Sequence, residues 1–131
     1  MTNPIVVRDL DHVVLRCGDQ SRMLAFYTDV LGLTEERRLD AIGLVQLRAG
    51  SSLVDFVPGD RSAGFEAANV DHFCLVVEGK SLDEVIRWLT AHEVEMVGEP
   101  MVRYGATGFG LSVYVRDPEG NVVELKCAEN P

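Results

Sequence analysis

An aspartate followed by a histidine occurs twice in this chain, at Asp11-His12 and at Asp71-His72. Each pair opens an apolar run: Leu10-Asp11-His12-Val13-Val14-Leu15, and Val70-Asp71-His72-Phe73-Cys74-Leu75 sixty positions later. A second echo follows in each half, Ser52-Leu53-Val54-Asp55-Phe56 against Asn121-Val122-Val123-Glu124-Leu125. Two imidazoles and two carboxylates thus stand in matching places of a duplicated unit, and such units pack against their copies. Two neutral imidazoles with one or two carboxylates suit a divalent first-row metal such as zinc, nickel, manganese or ferrous iron. Nitrogen and oxygen ligands without thiolate favour a catalytic site, which keeps positions open for water or substrate. Plainer readings compete at this stage. A strand histidine is commonly a hydrogen-bonded core or surface residue, and duplication alone reproduces the match. Glu124, between Val123 and Leu125, also reads as a solvated residue of an edge strand.

The elements that must position these residues follow one order twice. Residues 9–17 alternate and are rich in Val and Leu, so His12, Val14 and Arg16 share one strand face. A helix is predicted from about Ser21 to Leu31, capped by Asp19 or Ser21 and stopped by Gly32. Strands are expected near 34–39, 43–48 and 52–57. Residues 58–69, opening Pro58-Gly59-Asp60, read as a connection. The second half predicts a strand at 70–77 and a helix at about 82–92 behind the capping box Ser81-x-x-Glu84. Strands near 100–104, 110–116 and 121–127 complete it, the last two joined by Asp117-Pro118-Glu119-Gly120 as a type I turn. The fold class is therefore α+β: two βαβββ modules, about 8–57 and 70–127, forming a curved mixed sheet around a metal-binding cleft within one domain, 1–131. Cys74 shares the His72 face but reads as a small buried hydrophobe. Met96 and Met101 read as packing residues, His92 as exposed, and Trp88 as a cap outside the helix–sheet core.

Composition narrows the partners. With 131 residues the chain has the size of one domain with a sizeable core. Twelve basic against twenty-one acidic residues give a net charge of −9, which argues against nucleic acid as a partner. No apolar run approaches the roughly 20 residues of a membrane span, and Met1-Thr2-Asn3-Pro4 lacks a signal-peptide pattern. Three cysteines without a C-x-x-C pair suit a reduced, cytoplasmic protein.

Taken together, several segments closely resemble the vicinal oxygen chelate superfamily, which includes glyoxalase I, bleomycin-resistance proteins and extradiol dioxygenases. They are Asp11-His12-x-x-Leu15, Phe26-Tyr27-x-x-Val30-Leu31-Gly32-Leu33, Asp71-His72, and Asp117-Pro118-Glu119-Gly120-Asn121-x-x-Glu124-Leu125. The likeness spans about residues 8–127 and is nearest to small single-domain glyoxalase-like proteins. It extends to Arg103-Tyr104-Gly105-Ala106-Thr107-Gly108. The resemblance implies metal ligands at His12, His72 and Glu124. A fourth falls on Asp55, where the shorter aspartate replaces the family's glutamate and binds through water or not at all. It also implies that Arg16 contacts an acidic part of the substrate; pairing with a local acid is the alternative. Arg103 and Tyr104 are further substrate-binding candidates beside a glycine-rich loop.

An open site holding one divalent ion acts as a Lewis acid on neighbouring oxygens of a small substrate. Glu124 is then the candidate general base and acid beside a metal-stabilised enediolate, with Asp55 its symmetric partner. The resulting expectation is a metal-dependent lyase or isomerase of glyoxalase type. The alternatives are a non-catalytic drug- or metabolite-binding protein of the bleomycin-resistance kind and a dioxygenase of the same superfamily. Unpaired sheet edges and the habits of small family members lead to a homodimer as the expected assembly. A site within one chain and a site shared between chains both remain open.

Overall fold

Alternation and the helix signals are realised as two copies of one unit in the computed structural model, which describes residues 6, 9–62, 64 and 69–127. The first module runs β1 (His12–Cys17), α1 (Gln20–Ala25), β2 (Thr34–Leu39), β3 (Leu44–Ala49) and β4 (Ser52–Pro58). The second runs β5 (Phe73–Val77), α2 (Leu82–Ala91), β6 (Met101–Gly105), β7 (Gly108–Arg116) and β8 (Val122–Cys127). The expected start of module one at residue 8 and part of the connection, 63 and 65–68, lie outside the described residues.

Each module closes its own four-stranded mixed sheet, in the orders β1-β4-β3-β2 and β5-β8-β7-β6. In each, the first strand pairs in parallel with the last and the other ladders are antiparallel. The histidines therefore belong to edge segments, His12 on β1 and His72 just before β5. The carboxylates lie inside the sheets, Asp55 on β4 and Glu124 on β8. Parallel register sets Val14 beside Asp55 and Cys74 beside Glu124, so the candidate ligands of each module share one sheet face.

The opposite faces build the core. Leu15, Tyr27, Leu47, Phe56, Val113, Val115 and Val123 are fully or almost fully buried in one cluster drawn from both modules. Burying each such side chain stabilises the fold by about 1.5–3 kcal/mol. Tyr27 packs edge-on against Phe56 of the first sheet and parallel to Phe73 of the second.

The predicted first helix is interrupted. Asp19 caps it through Arg22 N, but after Ala25 it widens into a π-helical turn, Phe26–Val30. There the Thr28 hydroxyl donates to the Leu24 carbonyl, competing for a backbone acceptor. The second helix keeps its capping box at Ser81 and Glu84.

The turn joining β7 and β8 does more than reverse the chain. Glu119, buried, accepts from the backbone N–H groups of Gly18 and Asp19 at 2.8 and 2.7 Å. Asp117 accepts from the Tyr27 hydroxyl at 2.9 Å and from Asn121. The second module thus grips the β1–α1 corner of the first.

Two packing expectations are corrected. Cys74 is exposed rather than buried, because β5 is an edge strand of its sheet. Met101 is half exposed on edge strand β6, whereas Met96 does pack on the core. His92 is exposed, as expected, and Trp88 is half exposed with its indole N–H donated to the Val30 carbonyl.

Candidate functional site

Both histidines are oriented by the residue before them. Asp11 Oδ1 lies 2.7 Å from His12 Nδ1, and Asp71 Oδ1 lies 2.6 Å from His72 Nδ1. An ionised carboxylate only accepts, so Nδ1 is the donor in each pair. That fixes the tautomer and leaves Nε2 as the free lone pair, the arrangement that carboxylate partners impose on metal-binding imidazoles. The Asp11 hydrogen bond also raises the His12 pKa, with a smaller contribution from the Asp55 charge.

In the first module Asp55 is buried on the His12 face. Its Oδ2 accepts from Gln46 Nε2 at 3.0 Å, whereas its buried Oδ1 has no hydrogen-bond partner among the described residues. An orphaned carboxylate oxygen is costly unless a cation or donor meets it. Arg16 extends from the same face, forms no ion pair among the described residues, and packs its stem on Gly59.

In the second module Glu124 is buried in the middle of the sheet, which removes its reading as a solvated edge residue. Ser112, fully buried, donates to Glu124 Oε2 at 2.7 Å, and the other oxygen lies 3.4 Å from His72 Nε2. Tyr114, opposite Glu124 in the ladder, stands edge-on to the His72 ring with centroids 5.6 Å apart. Its hydroxyl accepts from Arg103 Nε at 3.0 Å, and the guanidinium lies 5.9 Å from the ring centroid. The Cys74 thiol is pushed up to about 11, first by desolvation and then by the Glu124 charge, which removes it as a nucleophile near neutrality.

Arg103 and Tyr104 lie on β6, the strand expected near 100–104, and their side chains alternate across it. Arg103 joins the Glu124 face. Tyr104 is largely exposed, paired edge-on with Phe109 across the β6–β7 hairpin. Gln46, Ser112 and Tyr114 escaped the sequence reading. Their only signal was alternation on strands adjoining those of Asp55 and Glu124.

The four expected ligands therefore form two pairs, His12 with Asp55 and His72 with Glu124. Among the described residues no three His, Cys, Asp or Glu side chains come close enough to hold a metal ion together. Each pair nonetheless sets an imidazole Nε2 and a buried carboxylate on one sheet face, and the Asp55 Oδ1 without a hydrogen-bond partner among the described residues fits a divalent cation.

Comparison with known proteins bears on the family and the fold. The sequence model of the Glyoxalase/Bleomycin resistance protein/Dioxygenase superfamily matches residues 9–125. A glyoxalase domain-containing protein of Mycosarcoma maydis is 31% identical over 128 residues, covering 95% of this chain and 70% of that protein. A virulence protein of Salmonella typhimurium has a crystal structure with a TM-score of 0.75 at 25% identity, covering 94% of this chain and 98% of that one. A lactoylglutathione lyase from Agrobacterium tumefaciens gives a TM-score of 0.67 at 27% identity, covering 95% and 96%.

Proposed function

Since the chain belongs to the glyoxalase/bleomycin resistance protein/dioxygenase superfamily, we propose that it is a metal-dependent lyase or isomerase of glyoxalase type acting on a small substrate with neighbouring oxygens. The carrying observation is the pair of imidazoles, each held through Nδ1 by the preceding aspartate and each on the same sheet face as a buried carboxylate. His12, His72 and Glu124 would hold the ion, with Asp55 a weaker fourth ligand. When bound, a divalent ion there supplies Lewis-acid polarisation of a substrate carbonyl.

The remaining work falls to the chain's own groups. Ser112 pins one Glu124 oxygen and leaves the other toward His72, so the carboxylate is aimed at the face where substrate would lie. From that place Glu124 removes a proton from the carbon next to the carbonyl and returns it to the neighbouring carbon. Arg16, on the same face as His12 and without an ion pair among the described residues, orients an acidic part of the substrate. The separation of the two ligand pairs supports a site completed by a second chain, one module from each protomer.

Elemental analysis of protein purified without a histidine tag tests the reading. The expected result is about one divalent ion per site, with most of it lost in His12→Ala and in His72→Ala. Full metal content in the double variant overturns it.

A further inference from the structure

Lys126 lies two residues beyond Glu124 on β8, hence on the same sheet face, and is only 2% exposed. Its stem fills the space left by Gly110: a Cβ there would meet Lys126 Cγ and Cε at 3.3 Å and the Cys127 carbonyl oxygen at 2.7 Å. Its ammonium donates to the Gly108 carbonyl at the tip of the β6–β7 hairpin. Arg103 faces Gly110 from β6, so two cationic side chains flank that glycine. Arg103 donates to neutral partners as well, the Tyr114 hydroxyl and the Met101 sulfur. Among the described residues neither cation forms an ion pair, in a chain with twenty-one acids and twelve bases. Cations in such a chain ordinarily find carboxylates, and an ammonium carries three donors, of which the Gly108 carbonyl takes one.

We propose that Lys126 and Arg103 form an oxyanion subsite, so that the substrate carries a carboxylate or phosphoryl group lying on the second module beside Glu124. The assignment deepens the glyoxalase-type reading and rests on it for the identity of the reacting site. An incoming oxyanion replaces the Gly108 carbonyl as acceptor for Lys126, exchanging a neutral acceptor for a charged one, which makes the stronger hydrogen bond. Gly110 is specific to this arrangement, since any side chain there would collide with the Cys127 carbonyl and the lysine stem. Arg16 contributes on the other sheet; the new subsite fixes the opposite end of the substrate and thereby its direction in the cleft.

The test uses metal-free, 15N-labelled protein titrated in parallel with glycolate and inorganic phosphate at constant ionic strength in chloride, with hydroxyacetone as the neutral control. The Gly108 and Gly110 amides are expected to shift saturably with one or both anions and not with hydroxyacetone. The better anion tells carboxylate from phosphoryl. Lys126→Met and Arg103→Gln should each weaken binding by about tenfold or more, while Lys126→Arg stays within roughly threefold. Wild-type affinity in Arg103→Gln, at a half-buried position where folding is not at stake, overturns the subsite, as does an equal response to chloride. Metal content is measured separately on the same preparations. A chain that binds no metal but keeps the anion response refutes the metal reading alone, and the converse refutes only the subsite.

Discussion

Glu124 and Asp55 occupy equivalent places in the two modules, but their surroundings separate their roles. Glu124 has one oxygen held by Ser112 and the other toward His72, so the group is both fixed and directed. A glutamine at 124 can still accept from Ser112, and the fold should persist. Glu124→Gln is expected to retain wild-type thermal stability to within a few degrees while losing metal, and activity by ~10²-fold or more. Asp55 lies on a shorter stem, with Gln46 on one oxygen and, among the described residues, no hydrogen-bond partner on the other. Asp55→Asn should therefore lose less metal than Glu124→Gln, and equal losses in elemental analysis would show that the two carboxylates are equivalent ligands. The ligand types were legible because duplication printed them twice. Ser112, Gln46 and Tyr114 were not, since their importance comes from ladder register across strands that are distant in sequence.

Among the elements, the Asp117–Asn121 turn shows most clearly what a sequence pattern leaves out. Its reversal was legible from Pro118 and Gly120, and Gly120 N does donate to the Asp117 carbonyl at 3.0 Å. Its grip on the β1–α1 corner was not, because the partners Gly18, Asp19 and Tyr27 lie some ninety to one hundred residues away. The interrupted first helix has a similar cause, since a periodic apolar stripe does not distinguish an α turn from a π turn. Glu119→Gln replaces one acceptor by an amide NH2 donor facing a backbone N–H, a buried mismatch costing about 1–3 kcal/mol in urea denaturation. Asp117 adds a pH signature. Burial raises its pKa despite its hydrogen bonds. A carboxyl raised in the folded state favours folding most below its unfolded pKa, and that contribution disappears as pH rises through the folded value. Asp117→Asn also loses one of the acceptors used by Tyr27 and Asn121. Its stability deficit relative to wild type should thus be larger near about pH 4 than near about pH 7; a deficit that grows toward neutral pH contradicts the assignment.

For the whole molecule, the two sheets turn the core-forming faces inward, and the edge strands of their polar faces leave Val14 and Val76 half exposed. The edge strands β1, β2, β5 and β6 are each paired on one side only among the described residues, and Val102, Tyr104 and Phe109 are exposed around the β6–β7 hairpin. Unpaired edges and exposed apolar groups favour association. A twofold dimer that set the His12 face of one protomer against the His72 face of its partner would complete two metal sites at once. Light scattering should accordingly give twice the 14.4 kDa chain mass. The sharper measurement mixes equal amounts of His12→Ala and His72→Ala protein after a cycle of dissociation and reassociation. With sites shared between chains, each mixed dimer pairs the intact first module of one variant with the intact second module of the other, restoring one of its two sites. Random reassociation then returns about a quarter of the wild-type metal content, from two preparations that alone hold almost none. If each chain owned its site, the mixture would bind no more metal than its components, and the two half-sites would have to meet within one protomer.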